Sequence, residues 1–288
     1  MSINLPTLFP FLALFLAVIG LWVDSRLSLG LLAVAVIAAY FSGALTGNAA
    51  LWIALLGALA WAHSRATGWR CIVTGIAFAV FAVAMGLPLL PGFPRVVLAE
   101  NVVLSPGALP YTLGLGFPKV VGGIFILAFM HPERVRSWRE LAGVLGRVVP
   151  IYLLTVVAVM AVTLAMGYVK FDPKWTTLFF AWALTNLFFT CLSEEAFFRG
   201  FLQRELARMG GHRRRAAIIA VAVSSVVFGL AHFAGGWKYA LAAAIAGAGY
   251  GIAYHRTQRV EGSMAVHFGL NAAHFLLFTY PALAPVVP

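Results

Sequence analysis

Long apolar stretches alternate with short polar connectors along the whole chain. A helix of about 17–25 apolar residues is long enough to cross a bilayer. Ten stretches meet or approach this length, and the third and the fifth of them are short. They lie roughly at 6–23, 27–45, 48–63, 71–90, 116–130, 148–168, 175–195, 216–234, 237–254 and 263–280. The pattern predicts an all-α fold, a polytopic transmembrane bundle of about ten spans.

The longest connector, at 91–115, is rich in proline and glycine. These residues interrupt both helices and strands, so we expect irregular backbone there. No internal repeat of fixed period is visible along the chain.

Composition supports lipid as the solvent. Of the 288 residues, 62% are hydrophobic and only 10% are charged, and the mean hydropathy is +0.95. Soluble domains are about half apolar and a quarter charged. The composition therefore excludes a soluble enzyme, a disordered protein and a nucleic-acid-binding domain, despite a net charge of +11. Membrane lipids are expected partners, and nucleic acid is not.

The positive charges indicate an orientation. If the connectors are assigned alternately to two sides, fifteen of the twenty Lys and Arg residues fall on the odd-numbered connectors. Cytoplasmic loops carry an excess of these residues. We therefore expect the odd connectors to be cytoplasmic and both termini to lie outside.

Two adjacent carboxylates interrupt an apolar run. Glu194 and Glu195 follow WTTLFFAWALTNLFFTCLS without a break, and ionisable groups at such positions are costly and mark functional sites. Glu195 is one helical turn from Arg199, so the two can pair. Glu194 points about 100° away, which leaves it without a local partner and available for acid–base work. The alternative is a helix end whose charges reach the headgroups.

Three further polar residues lie in the last apolar stretches: His232, His267 and Asn271. Glu194 and His232 each stand 19 residues from the turn at Arg213, which corresponds to about 28 Å along an α-helix. His267 and Asn271 are one turn apart on one helix face. We expect separate helices to bring these groups to one layer inside the membrane.

The motifs resemble those of the CPBP (ABI) family, which includes the CAAX prenyl endopeptidases. That family carries EExxxR, then FxxxH, then HxxxN. This chain has Glu194-Glu195-Ala-Phe-Phe-Arg199, then Phe228-Gly-Leu-Ala-His232, then His267-Phe-Gly-Leu-Asn271, in the same order. The resemblance implies a protease core at residues 148–288, preceded by N-terminal transmembrane helices of unknown role at 1–147. It also suggests an integral protein of the bacterial inner membrane.

The resemblance implies hydrolysis of a peptide bond in a membrane-associated protein or peptide. The catalytic candidates are Glu194, His232, His267 and Asn271, with Glu195 and Arg199 as supporting residues. Glu194 and His232 would activate a water molecule, and His267 and Asn271 would donate hydrogen bonds to the oxyanion. Glu194, His232 and His267 could instead bind zinc with an open water position, so the cofactor is either none or zinc.

Two other functions stay open. The first is a proton- or ion-coupled carrier that uses the same intramembrane polar residues as a relay. The polar residues cluster in the last four apolar stretches, however, without the repeat that many carriers show. The second is a non-catalytic membrane interaction protein with the same fold. The substrate sequence and the oligomeric state do not follow from the chain.

Overall fold

The computed structural model describes residues 5–87, 89–131, 133–211 and 213–285. Over these residues the chain is mostly helical, which confirms the helical architecture expected from the sequence. The α-helices are α1 (Leu5–Gly20), α2 (Ser25–Phe41), α3 (Ala49–Arg65), α4 (Trp69–Gly86), α5 (Pro118–Phe125), α6 (Trp138–Ala165), α7 (Leu178–Thr185), α8 (Leu192–Glu195), α9 (Arg204–Met209), α10 (Arg214–Ala231), α11 (Trp237–Thr257) and α12 (Val260–Leu277).

Several helices continue into other helical forms. The π-helical stretches are π1 (Ile126–Met130), π2 (Asn186–Cys191) and π3 (Ala196–Gln203), and Phe233–Gly235 is a 3₁₀ turn. Each of the ten apolar stretches is helical over most of its length. Within the described residues, three helices are long and apolar enough to cross a membrane: Trp69–Gly86, Trp138–Ala165 and Arg214–Ala231. The count of about ten spans stays a prediction.

The connector at 91–115 is more ordered than its proline and glycine content indicates. It contains two hydrogen-bonded strands, β1 (Val96–Val102) and β2 (Tyr111–Leu115). The expectation of irregular backbone was therefore wrong for these twelve residues. The reason lies in the residue types between the prolines, since valine, tyrosine and threonine favour the pleated backbone of a strand.

Helix α6 begins well before the apolar stretch from which it was predicted. The Ser137 side chain caps its N-terminus by accepting a hydrogen bond from the Glu140 backbone N–H at 3.1 Å. The Glu140 carboxylate in turn accepts from the Arg136 backbone N–H at 2.9 Å. This arrangement resembles a capping box, except that the acidic side chain accepts from the residue before the N-cap and not from the N-cap itself. It starts the helix at Trp138 rather than near residue 148.

The chain divides into two compact units, each built from several stretches of sequence. The first unit comprises Met1–Leu98, Gly114–Arg134 and Phe188–Phe201, and the second comprises Ala99–Leu113, Val135–Leu187 and Leu202–Pro288. The boundary at residue 147 stays a prediction. In the first unit, α5 contacts α1, α2, α3, α4 and α8. All of its residues from Val120 to Phe125 are buried, so α5 is the central helix of that unit.

In the second unit, α11 is central. It contacts α6, α10 and α12, and small residues let its neighbours approach closely. A side chain at Gly249 would collide with Thr155 of α6, since an added Cβ would lie 2.1 Å from the threonine hydroxyl oxygen. Small residues at helix contacts are typical of membrane bundles.

The connector before α7 is tied to the end of α12. Phe171 and Phe278 form an isolated antiparallel bridge, and the Lys174 ammonium donates to the Asp172 carboxylate at 3.3 Å and to the Phe278 carbonyl. A hydrogen bond with Ser105, followed by the charge of Lys174, holds the pKa of Asp172 below its usual range. The Asp172 carboxylate is therefore stabilised in its ionised form.

Candidate active site

The two adjacent glutamates lie on α8, between π2 and π3. Residues 178–209 are helical throughout, but π-helical stretches interrupt the regular α-helix. The depth of about 28 Å assigned to Glu194 assumed an uninterrupted 1.5 Å rise, and that assumption was wrong. Short π-helical stretches occur frequently at functional sites, because they change the direction in which side chains project.

The predicted pair of Glu195 and Arg199 is present. Arg199 Nε lies 3.3 Å from Glu195 Oε2, and Arg199 Nη1 lies 3.4 Å from Glu195 Oε1. Both side chains are completely buried. The guanidinium also lies 5.7 Å from the centre of the Phe198 ring, within the range of a cation–π contact. The pair joins the last residue of α8 to π3.

Glu194 is partnered by a residue distant in sequence. Its Oε1 lies 3.4 Å from the Nζ of Lys119, on α5. The Glu194 side chain is 11% exposed, whereas that of Lys119 is 58% exposed. The carboxylate is thus mostly desolvated, and the ammonium beside it is open. This contact was not predicted, because Glu194 has no partner nearby in the sequence.

A glycine on α5 explains how α8 comes close enough for this contact. An added Cβ at Gly123 would lie 3.1 Å from both Leu192 Cδ2 and Ser193 Cα. Lys119 precedes Gly123 by one helical turn and therefore lies on the same face of α5. Because Gly123 has no side chain, α8 can pack against this face of α5. Lys119 on the same face is then close enough to contact Glu194.

His267 is held between aromatic rings in the second unit. Its ring is stacked on Tyr250 of α11, with centroids 4.4 Å apart and planes at 15°. Phe228 of α10 meets the His267 ring edge-on at 5.9 Å. His267 is 4% exposed. The stacked tyrosine therefore restricts the plane of the His267 imidazole.

His232 lies at the end of α10, where it is the C-terminal capping residue. Its Nδ1 is 2.7 Å from the carbonyl oxygen of Phe228. Since a carbonyl only accepts hydrogen bonds, Nδ1 carries the proton in the neutral imidazole, and the lone pair is on Nε2. The Phe228 ring contacts the rings of both His232, at 4.5 Å, and His267. The structure therefore brings both predicted histidines into contact with one phenylalanine ring.

Asn271 is oriented by a second asparagine. Its Nδ2 donates to Asn186 Oδ1 at 3.2 Å. Asn186 begins π2 and is the lone asparagine in a run whose other polar residues are threonines and a serine. An amide in such a run, eight residues before the glutamates, was the available signal for this contact. The sequence analysis did not use it.

The predicted site residues thus fall into two groups. Glu194, Glu195 and Arg199 belong to the first unit, and His232, His267 and Asn271 belong to the second. The joint action of the two groups stays a prediction from the motifs. Sequence reasoning missed three contacting residues: Lys119, Asn186 and Tyr250.

The donor types suit zinc. One carboxylate and two imidazoles form a known kind of hydrolytic zinc site. The contact of His232 Nδ1 with a backbone carbonyl is the outer contact that metal-binding histidines usually make through their second nitrogen. The ammonium of Lys119, however, already compensates the charge of Glu194. The donor types of these residues therefore suit zinc, but they suit equally a mechanism in which the Glu194 carboxylate acts without a metal.

Comparison with known protein families identifies the C-terminal part of the chain. Residues 175–273, about a third of the chain, match the family model described as type II CAAX prenyl endopeptidase Rce1-like. No curated protein and no solved structure matches the chain. The matched region contains all three motifs, from Glu194 to Asn271. This part of the chain is therefore similar to the type II CAAX prenyl endopeptidase family, in agreement with the resemblance of the motifs.

Proposed function

We propose that this protein is an intramembrane endopeptidase of the bacterial inner membrane. Its substrate would be a membrane-associated protein or peptide. The match of residues 175–273 to a CAAX prenyl endopeptidase family carries the proposal, because the family is one of proteases. Three helices long and apolar enough to cross a bilayer are consistent with hydrolysis inside the membrane. Polar groups at such depth require protein neighbours or a wet cavity.

In the proposed mechanism, Glu194 is the general base. Its carboxylate removes a proton from water as the water oxygen attacks the scissile carbonyl carbon. The Nε2 lone pair of His232 accepts the other hydrogen of the water and so orients it, because Nδ1 already donates to Phe228. Glu194 then returns the proton to the departing amine, which completes cleavage of the C–N bond.

The developing oxyanion needs hydrogen-bond donors. We assign this role to His267 and Asn271, since a donor aimed at such a charge contributes about 3–4 kcal/mol to transition-state stabilisation. The Asn271 amide is held in place by the hydrogen bond that it donates to Asn186. The stack on Tyr250 supports a fixed imidazole plane for His267.

Glu195 and Arg199 are proposed to position the base rather than to react. Their buried pair joins α8 to π3. An enzyme loses activity when a catalytic side chain is displaced by about 1 Å. The pair would therefore limit the movement of the neighbouring Glu194.

Zinc is the alternative version of the same site. Glu194, His232 and His267 would hold the ion, which would polarise the scissile carbonyl and lower the pKa of a bound water molecule. We favour the metal-free version, because Lys119 already supplies a positive charge beside Glu194. Active enzyme with less than a tenth of an equivalent of zinc after chelator treatment is the expected result. Loss of activity that stoichiometric zinc restores would support the metal version instead.

The central experiment replaces the proposed base. E194Q keeps the size of the side chain and removes its capacity to take a proton, so we expect cleavage to fall by at least a thousandfold with an unchanged melting temperature. E205Q is the matched control, since Glu205 lies on the following helix α9 in a partly exposed pair with Arg208. Cleavage can be followed by comparing new peptide termini in cells that contain wild-type or E194Q protein. Cleavage by E194Q at the wild-type rate would exclude the assignment.

A further inference from the structure

A surface cavity lies at the turn between α3 and α4, in the first unit. Its volume is about 480 Å³, within the size range of ligand clefts. Six of its lining residues carry the argument: Trp61, Arg65, Thr67, Trp69, Arg70 and Val73. Two indoles and two guanidinium groups therefore meet around one space, which is separate from the candidate active-site residues.

The cavity carries two positive charges that no carboxylate of the described residues neutralises. Among those residues, neither Arg65 nor Arg70 forms an ion pair. Each guanidinium instead lies near an indole, Arg65 at 5.7 Å from the Trp61 ring and Arg70 at 5.9 Å from the Trp69 ring. A cation–π contact restricts the arginine side chain without cancelling its charge. The cavity is therefore suited to an anion.

The cavity also lies at the end of a membrane-length helix. Helix α4 begins at Trp69 and is long and apolar enough to cross a bilayer. Only 17% of its residues are buried inside the protein. Tryptophan is enriched at membrane–water interfaces. Trp61 and Trp69 are both more than half exposed. These observations place the cavity at the headgroup level, on the side predicted to be cytoplasmic.

An apolar track leads from the cavity along α4. Val73, Ile76 and Val80 follow one another at intervals of three and four residues, so they share one helix face. Each of them is more than half exposed. An acyl chain attached to a phosphate in the cavity could lie along this face.

We propose that the cavity binds the phosphate group of an anionic phospholipid. The guanidinium groups of Arg65 and Arg70 contact the phosphate oxygens, the two indoles flank the headgroup, and an acyl chain follows the exposed face of α4. Arginine suits this role because its planar fork of N–H groups matches the geometry of phosphate. The site anchors a lipid beside the first unit and takes no part in peptide hydrolysis.

The test measures lipid binding to the full-length protein in mild detergent by native mass spectrometry. The protein is titrated with palmitoyl-oleoyl phosphatidylglycerol, with phosphatidylcholine of the same chains, and with inorganic phosphate. We expect one tightly bound phosphatidylglycerol and weaker, non-saturating binding of the other two. Each basic side chain near an anionic lipid surface contributes roughly a fivefold gain in affinity. R65Q/R70Q should therefore bind phosphatidylglycerol about 25-fold more weakly.

A matched variant separates this site from general surface charge. R139Q/R147Q also removes two exposed arginines, from α6, and should bind phosphatidylglycerol like the wild type. R65K/R70K keeps both charges but lacks the planar fork, so its affinity should lie between those of the wild type and R65Q/R70Q. Equal binding of the two phospholipids, equal losses in the two glutamine variants, or equally tight binding of inorganic phosphate would each overturn the proposal. The wild-type titrations decide between the ligands even if R65Q/R70Q does not fold.

Discussion

The buried pair beside the proposed base allows a quantitative prediction. Glu195 and Arg199 are completely buried and 3.3 Å apart. E195A removes the carboxylate and leaves a buried guanidinium without it. Removing one partner of a buried ion pair costs about 3–5 kcal/mol. For domains of 150–250 residues each kcal/mol shifts the melting temperature by about 2–4 °C, so we expect a fall of roughly 10 °C in E195A.

The control is a pair that is close in sequence but not buried. Glu205 and Arg208 are three residues apart on α9, and their side chains are 21% and 47% exposed. A pair that keeps part of its contact with solvent contributes less than a buried one, about 1 kcal/mol. E205A should therefore shift the melting temperature by no more than a few degrees. Both variants are compared with wild type by thermal unfolding in the same detergent at pH 7, followed by circular dichroism.

A double variant tests whether the cost comes from the isolated charge. Replacing both members of a buried pair by apolar residues of similar size is often neutral or stabilising. E195L/R199M should thus be more stable than E195A, although it lacks the same carboxylate and the guanidinium as well. Equal losses in E195A and E205A, or a double variant no more stable than E195A, would refute the reasoning from burial.

Three further predictions concern single contacts. Y250L removes the stacked ring beneath His267, so kcat should fall about tenfold, whereas Y250F should stay within about threefold of wild type; equal rates for the two variants would argue against positioning by the stack. N186L removes the hydrogen bond to Asn271, so we expect a loss of about fivefold in kcat and a fall of a few degrees in the melting temperature; an unchanged kcat would contradict that role. The pKa of Asp172 is lowered on folding by its hydrogen bond and neighbouring cation, so its stabilisation is present above about pH 4 and is lost as the pH falls through the folded-state pKa. Between pH 5 and pH 3 the melting temperature of wild type should fall by more than that of D172N; parallel curves would exclude this contribution.

The positions of the helices could be predicted, because apolar length is sufficient to indicate a helix in a membrane. Their ends were less predictable. Hydropathy placed the start of the sixth helix near residue 148, whereas the Ser137 cap starts it at Trp138. In the connector at 91–115, the proline and glycine content predicted irregular backbone, although residues that favour strands lie between them. The structure has two strands there. In both cases the sequence contains a local signal, a helix-capping serine or a run of strand-favouring residues, but the prediction relied on average composition.

Whether a contact in the candidate site could be predicted depends on how far apart its two residues are in the sequence. Glu195 and Arg199, like His232 and the Phe228 carbonyl, are four residues apart, and helical geometry alone brings such residues together. By contrast, Lys119 is 75 residues from Glu194 and Asn186 is 85 from Asn271.

Contacts at such separations depend on which helices are neighbours, and hydropathy does not encode this. The buried polar group itself nevertheless limits the possibilities, because an unsatisfied group in an apolar interior costs about 1–3 kcal/mol. Each polar residue in an apolar helix therefore implies a partner on another helix. In this chain Glu194 and Asn271 are such residues, and Lys119 and Asn186 are the partners that this reasoning could have sought.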